Sequence, residues 1–376
     1  MNKQADVSII GGGLAGLTAA IHLAKLGYSV TVFERQTYPN HKVCGEYVSR
    51  EVLPYLEFLA LDLPLPELPH IKRLQLTLPT GKQSFHQLPL GGFGISRFLF
   101  DELSYKHAVT LGVQFIFKKV EEVRFTHSQF KITTASKDSF TATLCLAAWG
   151  KRSNLDKQFD RKFITQQSEW MAVKGHYRYE CDDDLISLHN FKGGYCGVSQ
   201  IEDGIVNACY LLDTKIFKNY GNITTVEKNV LMQNPFLAKF KREAKPLFQQ
   251  PLTISQISFQ QKDSVINHML LIGDSAGLIH PLCGNGMAMA IHAAKIAAEN
   301  CHDFFNAHQN RETLETSYNS LWKAAFTKRL NIGRSVQRVL LNQQLSTPLL
   351  SVAQMLPGAV SKIISMTHGK PFGVRL

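Results

Sequence analysis

The chain has 376 residues, 44% hydrophobic and 19% charged, an ordinary composition for a globular protein long enough to form two interleaved domains around a large core. No apolar run approaches the ~18–20 residues of a membrane span, and MNKQADVSII leads straight into a strand without a signal-peptide or transit-peptide pattern. Seven cysteines, an odd number without a C-x-x-C, point to a reduced cytoplasmic chain with no metal site, and the net charge of +11 comes with no nucleic-acid-binding motif.

In chain order, the first informative stretch is residues 7–35, VSIIGGGLAGLTAAIHLAKLGYSVTVFER. An apolar run at 7–10 predicts a strand, a helical pattern runs from Ala15 to Leu26, and Ser29–Phe33 predicts a second strand ending at Glu34. Between strand and helix, Gly11, Gly13 and Gly16 fit G-x-G-x-x-G. Gly11 permits the tight turn, Gly13 lets a pyrophosphate approach the backbone, and Gly16 lets the helix pack closely. The N–H groups that open the helix at Leu14 and Ala15 offer an anion site. Glu34, with Arg35 after it, lies where a carboxylate binds the ribose of an adenosine. The motif in this context predicts a dinucleotide, without choosing between NAD and FAD.

Further on, Cys44-Gly45-Glu46 precedes an expected helix with Ser49 near its start, and residues 62–70 are irregular. The alternation from Ile71 to His86 around Thr80-Gly81 predicts a β-hairpin, and Gly91, Gly92 and Gly94 predict a return loop. A helix begins at Arg97, with Asp101 one turn on as an alternative partner for the guanidinium. Strands follow at 122–125, 130–134 and 143–148, the last ending at Trp149-Gly150-Lys151-Arg152-Ser153. Residues 165–260 read as an antiparallel sheet interrupted by one helical stretch. A strand at 269–272, the loop GDSAGLIHPLCGNG and a helix over 286–300 return to the dinucleotide domain. Residues 302–366 are helical by period, with Pro348 and Pro357 as breaks.

Four blocks, GGGLAG with Glu34, KVCGEYVS, AAWGKRS and GDSAGLIHPLCGNG, occur in the order found in FAD-dependent oxidoreductases of the p-hydroxybenzoate-hydroxylase and geranylgeranyl-reductase type, which the sequence resembles over residues 1–305. The resemblance implies FAD and an α/β fold. Its Rossmann-like FAD-binding domain would comprise 1–65, 95–155 and 262–305, and its mostly antiparallel substrate domain 66–94 and 156–261. A C-terminal helical region would cover 306–376. Gly273-Asp274 would bind the ribityl chain, Pro281 to Gly286 with Gly284 and Asn285 would pass the pyrimidine edge of the flavin, and Arg97 would contact the ribityl or pyrophosphate region. Cys44-Gly45 would lie at the substrate face of the ring, where Glu46 replaces a frequent glycine. The hydroxylases carry Asp-Gly where this chain has Trp149-Gly150, so electrons would come from transiently bound NAD(P)H or a separate donor. The halogenase signature Trp-x-Trp-x-Ile-Pro is absent from the region around Tyr195.

Flavin supplies the redox chemistry, and two reactions fit. The expected one is hydroxylation of a hydrophobic aromatic, with Glu46, Tyr195 and His280 as polar candidates. The alternative is reduction of a carbon–carbon double bond, with Cys44 or Tyr195 as proton donor. A flavin electron-transfer or binding module is a third class, against which the β-rich region at 165–260 argues. After Glu315 the chain has no Asp or Glu but carries Lys323, Lys328, Arg329, Arg334, Arg338, Lys362, Lys370 and Arg375. Amphipathic helices with such a charge predict a lipophilic substrate and an anionic partner: a membrane surface, an acidic carrier protein or a phosphorylated substrate.

Overall fold

The computed structural model describes residues 3–280, 284–306, 309–341 and 357–374. β1 (Gln4–Ile10), α1 (Leu14–Lys25) and β2 (Val30–Phe33) make the opening βαβ unit, with β1 parallel to β2 and Val7 opposite Val30. Val7, Ile9, Val30 and Val32 are buried, the near-continuous apolar pattern of strands covered on both faces. β3 (Tyr47–Ser49) and a short α2 (Leu53–Phe58) follow, then the hairpin of β4 (His70–Thr77) and β5 (Gln83–Gly94). α3 (Arg97–Thr110) starts at Ser96, whose side chain accepts a hydrogen bond from the Leu99 N–H at 3.0 Å. β6 (Gln114–Ile116), the hairpin β7 (Val120–Thr126) and β8 (Gln129–Thr134), and β9 (Ser139–Ala147) complete this half.

After the short α4 (Leu155–Gln158) come β10 (Trp170–Arg178), β11 (Leu185–Phe191), β12 (Gly194–Gln200) and β13 (Val206–Asp213). Three capped helices, α5 (Thr214–Tyr220), α6 (Ile223–Asn229) and α7 (Pro235–Glu243), then interrupt the sheet; Asp213, Asn222 and Asn234 supply the caps. β14 (Lys245–Pro246), β15 (Leu252–Ile257), β16 (Val265–Ile266) and β17 (Met269–Leu271) lead to α8 (Gly286–Asn306), α9 (Arg311–Leu341) and a terminal helix, Pro357–Thr367.

Two sheets result. The first has the order β16-β17-β9-β1-β2-β6, parallel from β17 to β6, with the β7–β8 hairpin attached to β9 and with α1 packed against α3 and α8. The second has the order β14-β10-β13-β12-β11-β4-β5-β3, with β15 also on β10; only β11 and β4 run parallel. This is the α/β fold with a mostly antiparallel second sheet. One face of that sheet packs through Val173, Cys196, Ala208 and Tyr210 onto Val226, Leu237 and Phe240 of the capped helices. The other face, with Leu74, Leu76, Leu188, Tyr195 and Leu211, meets Leu278, Val43 and two residues of the C-terminal helices, Val336 and Ile364. No described helix is long and apolar enough to cross a membrane.

Three local expectations change. Gly91, Gly92 and Gly94 do not form a return loop; they close β5, which runs on to pair with β3. The reason is close approach: a Cβ on Gly94 would overlap the Gln200 carbonyl, and one on Gly92 would strike the Tyr47 ring. Secondly, strand β3 and a 3-10 turn over Arg50–Val52 precede the helix expected after Glu46, and Ser49 caps that turn. Thirdly, Pro357 opens the terminal helix, as a proline without an N–H to donate does at a first turn; Pro348 lies outside the described residues. A Gly94→Ala substitution forces the β5 backbone away from Gln200 and is expected to cost about 1–3 kcal/mol, the usual range for overpacking, measurable as a lowered denaturant midpoint.

Candidate active site

The glycine turn is built as its sequence requires. Gly11 has φ +108°, and a Cβ there would overlap the carbonyl of Ala148, the residue after β9. Helical bonding in α1 begins with Leu17 N–H to the Gly13 carbonyl at 2.9 Å, so the N–H groups of Leu14, Ala15 and Gly16 are left for an outside acceptor. No side chain caps this end, and its first turn holds no acid. The Glu34 carboxylate accepts from Gly12 N–H at 2.9 Å, Arg35 N–H at 2.8 Å and Gln36 N–H at 3.1 Å. The Arg35 side chain is exposed. Tyr38 donates to the Gly12 carbonyl at 2.6 Å and braces the turn from below.

Arg97 makes the Asp101 pairing and also lies beside the glycine turn. Its guanidinium grips Asp101 through two 2.7 Å bonds, joined by Lys42 at 3.0 Å, and its Nη2 is also the atom nearest to the open side of Gly13, 3.8 Å from where a Cβ would stand. Burial would lower the Arg97 pKa, but Asp101, with Cys44 and Asp274 beyond, raises it above the ordinary value. Asp274 follows Gly273, whose φ is +61°, and lies 4.0 Å from the Lys151 ammonium. Lys151 in turn donates to the Val43 carbonyl at 3.4 Å. Below this turn, Lys262 donates to the Asp274 carbonyl at 2.8 Å and Arg161 to the Ser275 carbonyl at 2.9 Å. Burial and the Arg161 charge push the Lys262 pKa down to about 8. Trp149, where the hydroxylases carry aspartate, donates its indole N–H to Asp156 at 3.1 Å.

On the other side stand Cys44 and the start of α8. The Cys44 Sγ is 3.3 Å from Met287 Sδ, and a Cβ on Gly45 would meet no atom within 4 Å. Asn207 of β13 donates to the Cys44 and Gly45 carbonyls at 3.2 and 2.9 Å. Glu46 is fully buried with φ +56°, a backbone state that glycine adopts freely and glutamate seldom does. Its carboxylate accepts from Lys174 Nζ at 2.5 Å and Arg97 N–H at 2.7 Å, and its other oxygen lies 2.7 Å from His176 Nε2. Burial alone would raise its pKa; His176 and Lys174 more than offset that and hold the carboxyl below its ordinary range. Gly284 and Gly286 flank Asn285, whose side chain donates to the Thr367 carbonyl at 3.0 Å. The segment after Thr367 continues over Glu51 and Arg329, and Phe372 stacks on His292 with centroids 4.1 Å apart. Pro281 lies outside the described residues.

Tyr195 belongs to the neighbouring apolar cluster, and His280 packs against its edge. Tyr195 is buried among Leu74, Leu76, Leu188 and Leu211. His280 stacks on Phe259, part of the same cluster, with ring centroids 3.5 Å apart. Burial, then the Arg334 charge, lowers its pKa to about 3. Its Nδ1 is buried with no hydrogen-bond partner among the described residues. Lys174, His176, Asn207, Lys262 and Arg161 were not singled out in the sequence. The one available signal was the pair of bases two apart on a buried strand, Lys174 and His176 in MAVKGHYRY, which must share a face.

The open Gly13 cradle beside an uncapped helix end, with Arg97 over it and Asp274 opposite, fits a flavin dinucleotide. The fold is that of flavin-dependent oxidoreductases, and the opening glycine turn matches an FAD-dependent oxidoreductase model. A family model described as FAD dependent oxidoreductase matches residues 6–43. Menaquinone reductase of Mycobacterium tuberculosis is 23% identical over 80% of this chain and 77% of its own length. The structure of the flavin-dependent brominase Bmp2 superposes with a TM-score of 0.78 at 17% identity, covering 96% of this chain and 93% of the brominase. That of Pseudomonas aeruginosa PqsL in complex with 2-aminobenzoylacetate gives 0.73 at 13% identity, covering 93% and 100%.

Asp274→Ala is expected to weaken FAD binding by about 1.5–3 kcal/mol, the worth of a hydrogen bond to a charged group, read by fluorescence titration of the stripped protein. Stability carries a pH signature too. Burial first, then neighbouring cations, lowers His22, His280 and His292 from 6.5 to about 3. Between those values the unfolded chain binds more protons than the folded one, so stability falls as pH drops through that window. In His292→Phe, which keeps the stack on Phe372, the slope of Tm against pH over that range should be shallower.

Proposed function

We propose that the protein hydroxylates a lipophilic phenol with reduced FAD and O2. One atom of O2 enters the aromatic ring, the other leaves as water, and two electrons from NAD(P)H or a separate donor balance the reaction. The flavin, when bound by the glycine turn, Arg97, Asp274 and the start of α8, supplies the oxygen chemistry. The chain supplies the rest. Its apolar cluster between the second sheet and the C-terminal helices would open to admit the substrate and exclude water from the ring.

The observation that carries the reading is His280. A buried polar atom without a partner is costly, and Nδ1 of this imidazole has none among the described residues. With its pKa lowered to about 3 the ring is neutral at neutral pH, and the tautomer protonated at Nε2 leaves Nδ1 to accept a hydrogen bond. A phenol O–H is the matching donor, and the nearby Arg334 charge favours its phenolate. An isolated alkene offers neither group. The substrate is thus a phenolic head on an alkyl or prenyl tail, the tail lying along Leu74, Leu76 and Leu188.

The exposed Lys323, Lys328 and Arg338 on α9 would hold this cytoplasmic protein at an anionic membrane surface, where such a substrate partitions. A second reading, reduction of a carbon–carbon double bond, is favoured by the Cys44 thiol beside the start of α8 and by the likeness to a menaquinone reductase.

A long-chain alkylphenol supplied with NAD(P)H decides between them. Hydroxylation needs air and gives a product heavier by one oxygen; reduction proceeds without air and adds two hydrogens. His280→Phe should retain FAD and lose about 10²-fold in hydroxylation, the lower range for a positioned acid–base group. Full activity of that variant, or anaerobic turnover of the parent, removes the proposal.

A further inference from the structure

We infer that Lys174, His176 and Asn207 are positioning residues: together they clamp residues 42–46 to the second sheet and so hold the wall of the site that faces the flavin ring. The inference rests on the flavin reading above for its catalytic consequence, and on geometry alone for the clamp.

Three sheet positions converge on one short segment. Lys174 and His176 lie two apart on β10 and share a face, and Asn207 of β13 is the register partner of His176. Lys174 donates to the Lys42 carbonyl at 3.1 Å and to Glu46 Oε1, His176 meets Glu46 Oε2, and Asn207 takes the two carbonyls between, those of Cys44 and Gly45. Two alternate positions of β10 and one of β13 are thereby spent on holding the five residues that lead into β3.

A stability role explains little of this. Lys174 and Glu46 are fully buried and His176 nearly so, and a buried ion cluster of this kind adds little over apolar side chains of the same size. What it adds is a fixed geometry. The left-handed backbone at Glu46 is disfavoured for any residue with a Cβ, and the carboxylate at the end of that side chain is the group the sheet grips. The same carboxylate accepts the Arg97 N–H at the first turn of α3. One anion therefore sets two things: the Cys44 Sγ against Met287 at the start of α8, and the arginine that overlooks Gly13. On its outer side the cluster is covered by Phe248, 4.7 Å from the His176 ring, and by His41, itself stacked between Phe248 and Phe98.

The test uses the full-length protein with FAD bound. Asn207→Ala removes both carbonyl contacts and leaves the ion cluster intact; the double variant Lys174→Met with Glu46→Gln removes both charges together, so neither is stranded. The first readout is independent of turnover: alkylation of Cys44 by iodoacetamide without substrate, mapped by mass spectrometry, with half-buried Cys181 as internal reference. A loosened segment should react about five-fold faster at Cys44 and at the parent rate at Cys181, as local opening does. The second readout is the share of NAD(P)H oxidised that appears as hydrogen peroxide instead of hydroxylated phenol, which should rise while KM stays near the parent value. Lowered Tm with parent Cys44 reactivity and parent peroxide share would make the cluster structural only and overturn the inference. Faster Cys44 alkylation in a protein that hydroxylates no phenol would sustain the clamp and remove only the reaction reading.

Discussion

The structure depends on one buried anion, the Glu46 carboxylate, which is the meeting point of the two sheets. Its partners come from β10 of the second sheet and from the first turn of α3, which packs against α1 of the first. An ionised group inside a protein is tolerated only when hydrogen bonds replace its water. Here the replacements come from elements more than 50 and more than 120 residues away, at sequence separations of 51, 128 and 130. The second sheet and the helix that packs on α1 are therefore tied through one carboxylate, and a shift of either would strand the charge.

A second set of charges does comparable work on the opposite wall. Lys262 and Arg161 spend their N–H groups on backbone carbonyls of the Asp274–Ser275 turn, with Asp156 as the counter-ion for Arg161. The turn is held from beneath, which leaves the Asp274 carboxylate directed elsewhere and near the Lys151 ammonium. The cations beneath this turn, Lys262 and Arg161, are buried groups rather than surface lysines. Burial also keeps those charges poorly screened by salt.

Much of this was legible from residue order, and the limits have physical causes. The opening strand, turn and helix could be read because each glycine answers to a local demand: a turn, an anion or a close helix. The β4–β5 hairpin could be read from alternation. The Gly91–Gly94 segment could not, since three glycines that look like a loop are there to admit a tyrosine ring and a carbonyl from distant segments. Arg97 was legible only as an ambiguity, and the structure shows why: the Asp101 pairing is what aims it at Gly13. Lys174 and His176 announced a shared face but not a partner, because a contact across some 130 residues leaves no mark in local pattern. His280 was suspected from its place in the glycine-aspartate block, yet its orphaned nitrogen and its aromatic neighbour are facts of packing alone.

The link from Asn285 to the Thr367 carbonyl has an implication for how the protein is made. It joins the loop before α8 to a segment 82 residues later. On the ribosome the glycine turn emerges early and can fold with its strands while most of the chain is unmade. The brace on Asn285 cannot exist until synthesis has passed Thr367 and the segment ending in Phe372 has settled over His292. That brace is therefore among the late contacts of the growing chain, and the loop before α8 is left without it until then.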